Sequence, residues 1–135
     1  MDIALQYCHI TVNDLDDSLS FYRDALGLDV RNDVSSGEHR WVTLGSAAQP
    51  DLEFVLSEPH AGRSQADGDA LQALLTKGVL PMIVFRTDDL DAAFEQVRAS
   101  GAEVLQEPID QAWGPRDCAF RDPSGNMVRI SQAKK

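Results

Sequence analysis

Tyr7, His9, Glu53, Met82 and Arg129 carry the side chains whose chemistry and spacing place them together on the uncovered faces of strands. A strand sends alternate side chains to opposite sides. In the first strand-like run Cys8, Ile10 and Val12 form an apolar set for a helix to cover, with Leu5, Tyr7, His9 and Thr11 opposite. The run 51–56 separates Leu52, Phe54 and Leu56 from Asp51, Glu53 and Val55. In the second half Pro81, Ile83, Phe85 and Thr87 oppose Leu80, Met82, Val84 and Arg86, and the last run sets Val128 and Ile130 against Met127, Arg129 and Ser131. The uncovered faces therefore mix polar and apolar groups, as a ligand cavity does and a plain core does not. Tyr7, His9 and Glu53 are the acid–base candidates, because His titrates near neutrality and burial raises a Glu toward it. No residue is assigned a catalytic role.

Two tryptophans extend the list of ligand-binding candidates. Trp41 sits on the strand 38–44 with His39 and Thr43 on its face, where sheet packing and ligand stacking are both open readings. Trp113 lies in a loop, where an exposed ring stacks on a planar or cationic group. His39 and His60 read as surface histidines, and Arg116-Asp117 as either a turn-fixing salt bridge or a pocket contact. Cys8 and His9 cannot form a nucleophilic pair, since neighbours on a strand point apart. Gly-rich phosphate loops, CxxC pairs and Gly-x-Ser-x-Gly turns are absent from the sequence.

The elements that position these residues come from a repeat. Residues 7–30 resemble residues 82–104, with Asp14-Leu15-Asp16 matched by Asp89-Leu90-Asp91 and a closing Gly at 27 and 101. In each copy an acidic residue caps a helix. The apolar stripes are Leu15, Leu19, Tyr22 and Leu26 in one copy, and Leu90, Phe94 and Val97 in the other. Strand-like runs follow at 28–34, 38–44 and 51–56, and at 102–106, 116–121 and 126–131, the last two joined by the turn Asp122-Pro123-Ser124-Gly125-Asn126. The fold class is α+β, two tandem βαβββ modules. A chain of 135 residues fits one domain, with module one at 1–56, a linker or flap at 57–78 that includes a short helix at 70–75, and module two at 79–135.

Composition narrows the function. The net charge of −10 is concentrated in residues 1–75, with 13 acids against 4 Arg/Lys, whereas residues 76–135 hold 9 against 8. Such a balance repels nucleic acid and anionic membranes, and serves either solubility or an acidic cleft for a cationic ligand. No apolar run approaches the roughly 20 residues of a membrane span, and the N-terminus has no signal-peptide pattern. Cys8 and Cys118 read as small buried hydrophobes in a reducing compartment, so the expectation is a cytoplasmic protein.

Two stretches, Asp14-Leu15 … Ser18 … Phe21-Tyr22 … Leu26-Gly27 and Trp113-Gly114 … Asp122-Pro123-Ser124-Gly125-Asn126, together with the module repeat, resemble the vicinal oxygen chelate superfamily. That group includes glyoxalase I, extradiol dioxygenases, fosfomycin-resistance enzymes and bleomycin-resistance proteins. The resemblance implies curved mixed sheets enclosing a pocket, often in a homodimer. It also implies a divalent metal on four strand positions, which here carry Tyr7, Glu53, Met82 and Arg129. Met suits a hard ion poorly and Arg stays protonated, so no cofactor is expected. The alternative is a shifted metal site on His9 and Glu53 with His39. Family geometry further implies an Arg129–Glu53 ion pair where the metal would sit.

The reading is a metal-free binding protein of the bleomycin-resistance type that sequesters a small drug or metabolite, cationic and aromatic in its fullest form. Its alternatives are a metal-dependent lyase or dioxygenase and a metal-free isomerase or epimerase.

Overall fold

The computed structural model describes residues 1–134. The chain divides into two compact units, Met1–Ala73 and Leu74 onward. The first contains β1 (Tyr7–Thr11), α1 (Leu15–Leu19) with its π-helical continuation Ser20–Ala25, β2 (Asp29–Ser36), β3 (His39–Ser46) and β4 (Gln49–Ser57). Helix α2 (Gln65–Lys77) runs across the boundary. The second unit continues with β5 (Ile83–Thr87), α3 (Leu90–Ala99), β6 (Glu103–Asp110), β7 (Arg116–Arg121) and β8 (Met127–Gln132).

Each unit is a four-stranded mixed sheet of the same topology, ordered β1-β4-β3-β2 and β5-β8-β7-β6. The parallel pair is β1 with β4 in one and β5 with β8 in the other, and the remaining pairs are antiparallel. The α+β reading of two βαβββ modules therefore holds.

The repeated Asp-Leu-Asp explains how each helix is attached. The first Asp is the N-cap: Asp14 Oδ1 accepts from the Asp17 N–H at 2.9 Å, and Asp89 Oδ1 accepts from the Ala92 N–H at 3.1 Å. The leucines between, Leu15 and Leu90, are buried. The second Asp receives an arginine from the sheet of its own unit, Arg40 to Asp16 at 2.9 Å and Arg116 to Asp91 at 3.0 Å. Helix and sheet then close over Ile10, Val12, Leu19, Tyr22, Val42, Leu44 and Leu56 in one unit, and over Phe94, Val97, Cys118, Phe120, Val128 and Ile130 in the other. Burial pushes the Cys118 thiol up to about 11.

Four expectations change. The first helix is α-helical for only five residues before widening into the π form, with Leu26 N–H bonded to the Phe21 carbonyl at 3.0 Å. The hydroxyls of Ser18 and Ser20 donate to the carbonyls of Asp14 and Asp16, which competes with regular winding and leaves Phe21, Tyr22 and Ala25 buried together. The linker holds a helix of 13 residues, longer than 70–75. Ser64 caps it by accepting from the Asp67 N–H at 3.1 Å, and Gly68 within it leaves room for the His60 ring. Cys8 is exposed, because burial along β1 begins only at Ile10. Arg116 and Asp117 point to opposite faces, as strand neighbours must, and bond to different partners.

The β7–β8 turn depends on Asp122. Its Oδ1 accepts from the backbone N–H of Ser124, Gly125 and Asn126 at 3.0, 2.9 and 2.8 Å, and its Oδ2 accepts from Asn126 Nδ2 at 2.9 Å. Gly125 has φ 115° and the Leu75 carbonyl lies against it, so no side chain fits there. Asp122→Ala strands several donors in a largely buried turn. The expected loss is about 3 kcal/mol of unfolding free energy, read by urea denaturation.

Candidate functional site

With a helix on one face, each sheet leaves the other face open. In the first unit the strand register sets three rows across this face: Tyr7–Glu53–Gly45, His9–Val55–Thr43–Asn32 and Thr11–Ser57–Trp41–Val34. Tyr7, His9, Glu53 and Trp41 thus share one face. Tyr7 retains 50% of its exposure, and Trp41 is half-buried.

Arg31 completes the first row. A bulge between Val30 and Asn32 makes it the extra residue of β2, and its guanidinium lies over Gly45. There Nη1 donates to the Pro50 carbonyl at 2.8 Å, Nη2 donates to the Ser46 carbonyl at 3.3 Å, and Glu53 lies 3.6 Å away. Arg31, Glu53, Asp51 and Pro50, with Ala4, Leu5 and Gln6, line a cavity of about 440 Å³. At the other end of the face His9 Nδ1 is 3.4 Å from Ser57 Oγ, and His39 Nδ1 is 3.2 Å from Glu58 Oε2. The His39 and Trp41 rings meet edge-on with centroids 6.4 Å apart. His60 is engaged with Asp69 at 2.8 Å and lies apart from this set.

The second unit repeats the plan with different chemistry. Its open face carries Val84–Arg129–Ala119–Gln106 and Arg86–Ser131–Asp117–Ile109. Asp117 is buried and anchors a network: Gln106 and Gln111 donate to Oδ1 at 2.9 and 2.8 Å, and Arg129 Nη1 is 3.2 Å from Oδ2. Arg129 Nη1 also donates to Gln106 Oε1 at 3.0 Å. Burial alone would raise the Asp117 carboxyl, but the two glutamine donors and the Arg129 charge outweigh it and hold the group below its ordinary value. Met82 is exposed on the approach to β5, and Trp113 is 72% exposed in the β6–β7 loop.

Within its own unit each residue of the expected Arg129–Glu53 ion pair has another partner: Glu53 lies beside Arg31 and Arg129 beside Asp117. The four metal positions of the resembled enzymes are therefore a phenol, a thioether, a guanidinium and a carboxylate already facing a guanidinium. In the shifted set Nδ1 of His9 faces Ser57, Nδ1 of His39 faces Glu58, and Glu53 lies beside Arg31. Within neither unit do three or more His, Cys, Asp or Glu side chains among the described residues converge as metal ligands. Of the four positions that bind metal in the resembled enzymes, Tyr7, Met82 and Arg129 do not fit a hard divalent ion and Glu53 alone is an ordinary ligand.

Sequence reading missed Arg31 and the glutamines. A lone Gly inside a strand marks close approach of another group, and Gly45 was the available signal for Arg31. Gln106 and Gln111 carried none.

The family model of the Glyoxalase/Bleomycin resistance protein/Dioxygenase superfamily matches residues 4–130. Among solved structures the chain is similar to UcmS2, with 31% identity and a TM-score of 0.87 over 98% of this chain and 100% of that one. It is also similar to TnmS3, an antibiotic binding protein from Streptomyces sp. CB03234, with 25% identity and a TM-score of 0.77 over 99% of both chains. A lactoylglutathione lyase of Haemophilus influenzae is 29% identical over 133 residues, spanning 93% of this chain and 89% of the enzyme.

Two variants test the site. A Cβ on Gly45 lands on the Arg31 guanidinium and expels it. Gly45→Ala and Arg31→Ala should each cost about 1 kcal/mol, and the double variant little more than either alone, as read by a double-mutant cycle. For Asp117 the folded pKa lies below the unfolded one. Its contribution is present above the unfolded value and is lost as pH falls through the folded value. Stability measured between about pH 5 and pH 2 should therefore fall less steeply in Asp117→Asn than in the parent.

Proposed function

The chain belongs to the Glyoxalase/Bleomycin resistance protein/Dioxygenase superfamily, and from that premise we propose that it binds a small organic molecule without a metal and without turning it over. The carrying observation is the replacement of metal-ligand chemistry by two arginine–carboxylate pairs, Arg31–Glu53 and Arg129–Asp117. A guanidinium beside each carboxylate supplies the positive charge a metal would supply, but offers no open coordination position to polarise a substrate. The likeness to a protein described as antibiotic-binding supports the same reading, with sequestration of a drug or metabolite as the outcome.

Each open face carries groups of the kinds such a ligand needs. In the first unit Tyr7 and Trp41 offer aromatic surface beside His9, and in the second Val84 offers apolar surface beside Arg129. In this proposal the acting form is a homodimer, which is consistent with the number of apolar side chains left exposed on each chain. No helix among the described residues is long and apolar enough to cross a membrane, and cytoplasmic placement is part of the proposal.

The test is a thermal-shift screen against antibiotics and aromatic metabolites, with metal analysis of the purified protein beside it. A true ligand at roughly a hundredfold excess over its Kd should stabilise by about 2.7 kcal/mol and raise Tm by several degrees. Stoichiometric Ni, Fe, Mn or Zn retained through purification would overturn the proposal in favour of a metalloenzyme.

A further inference from the structure

The second unit's open face differs in charge from the composition of the whole chain. Arg129 is held through one nitrogen: Nη1 contacts both Gln106 Oε1 and Asp117 Oδ2, at 3.0 and 3.2 Å. Among the described residues Nε and Nη2 have no partner. These two donors form the side edge of the guanidinium, the fork that matches the two oxygens of a carboxylate. The side chain retains 21% of its exposure, and the buried Asp117, itself held by two glutamines, anchors its Nη1 end.

The surroundings favour the same occupant. Val84, directly across from Arg129 in the β5–β8 register, is 57% exposed, and Met82 is exposed at 54%. Arg86, the next residue of β5 on this face, is exposed and lies across from Ser131. Asp117 offsets one of the two arginine charges, and among the described residues no carboxylate is paired with the second. In a chain of net charge −10, this face therefore carries a local excess of one positive charge over a bare apolar floor.

We propose that the open face of the second sheet is an acid subsite: Arg129 receives the carboxylate of a small aromatic or otherwise apolar acid through Nε and Nη2, with Arg86 as the outer counter-charge and Val84 and Met82 beneath the apolar body. This deepens the binding reading above and rests on it. It also differs from the cationic ligand that is one of the two readings of the net charge. An ammonium group has no acceptor for the Arg129 fork and meets a like charge at Arg86.

The 135-residue chain labelled with 15N and 13C is titrated with 2-naphthoate and, separately, with 2-naphthylmethylammonium, following the Arg129 Nε–Hε signal and the Val84 methyls by NMR. The acid should shift both, and its affinity should fall at least about tenfold in Arg129→Lys, which keeps a charge for Asp117 but lacks the fork. Arg86→Gln, an exposed change, should weaken it by roughly threefold and steepen nothing else. Equal shifts from the ammonium probe overturn the proposal, as does the lack of any shift with low-millimolar acid or an Arg129→Lys chain that binds the acid unchanged. If antibiotics raise Tm while the acid moves neither signal, the binding reading stands and this subsite falls. If the acid binds at Arg129 while no antibiotic or metabolite stabilises the chain, the subsite stands and drug sequestration falls.

Discussion

Each half of this protein depends on one three-residue turn, Asp-Leu-Asp, that ties a helix to one face of its own sheet. The first Asp supplies the cap, the Leu is driven into the core, and the second Asp accepts an arginine from the strand beneath. The exposed ion pairs, Arg40–Asp16 and Arg116–Asp91, contribute little energy on their own. Their effect is geometric: they fix the side of the sheet the helix covers, and so fix which residues are left on the other side. Because side chains alternate, that single choice decides the orientation of Tyr7, His9 and Glu53 in one unit, and of Val84, Arg86 and Arg129 in the other.

The two open faces then solve a common electrostatic problem in parallel. A carboxylate on a partly dry surface needs a cation or several donors. Glu53 has Arg31, delivered by a β-bulge and admitted by the absence of a side chain at Gly45. Asp117 has Arg129 and two glutamines. In both units an arginine from the same sheet faces the carboxylate, so each open face carries a fixed pattern of charge set by its own strands.

Much of this plan is legible in the sequence because it rests on local rules. The Asp-Leu-Asp repeat, the two-residue alternation and the Asp-Pro-Ser-Gly-Asn turn place six of the eight strands and both module helices to within a few residues. What escapes is set by contacts distant in sequence or by competing hydrogen bonds. The π-helical turn after Leu19 depends on serine hydroxyls bonding back to the helix. The length of α2 was masked by Gly68, whose interior position makes sense only once the His60 ring is seen against it. The pairing of Glu53 with Arg31 needs a bulge, and neither propensity nor alternation marks where a strand admits an extra residue. Arg116-Asp117 shows the converse, since alternation alone was enough to separate them.

Net charge and the local charge of each open face are separate quantities, and the reason is structural. Most acids of the first unit are already engaged: Asp14 in a cap, Asp16 and Asp33 with Arg40, Asp24 with Arg23, Glu53 with Arg31, Glu58 with His39 and Asp69 with His60. Their sum repels polyanions at a distance, where individual pairs blur into one field. At contact range the field is set by whichever donors remain unpaired, and screening over about 8–10 Å confines the rest. On the open face of the second sheet those unpaired donors belong to arginine. A strongly acidic protein can therefore carry a locally basic patch, and composition reports the first property while only the register of β5, β7 and β8 brings Arg86 and Arg129 to one face.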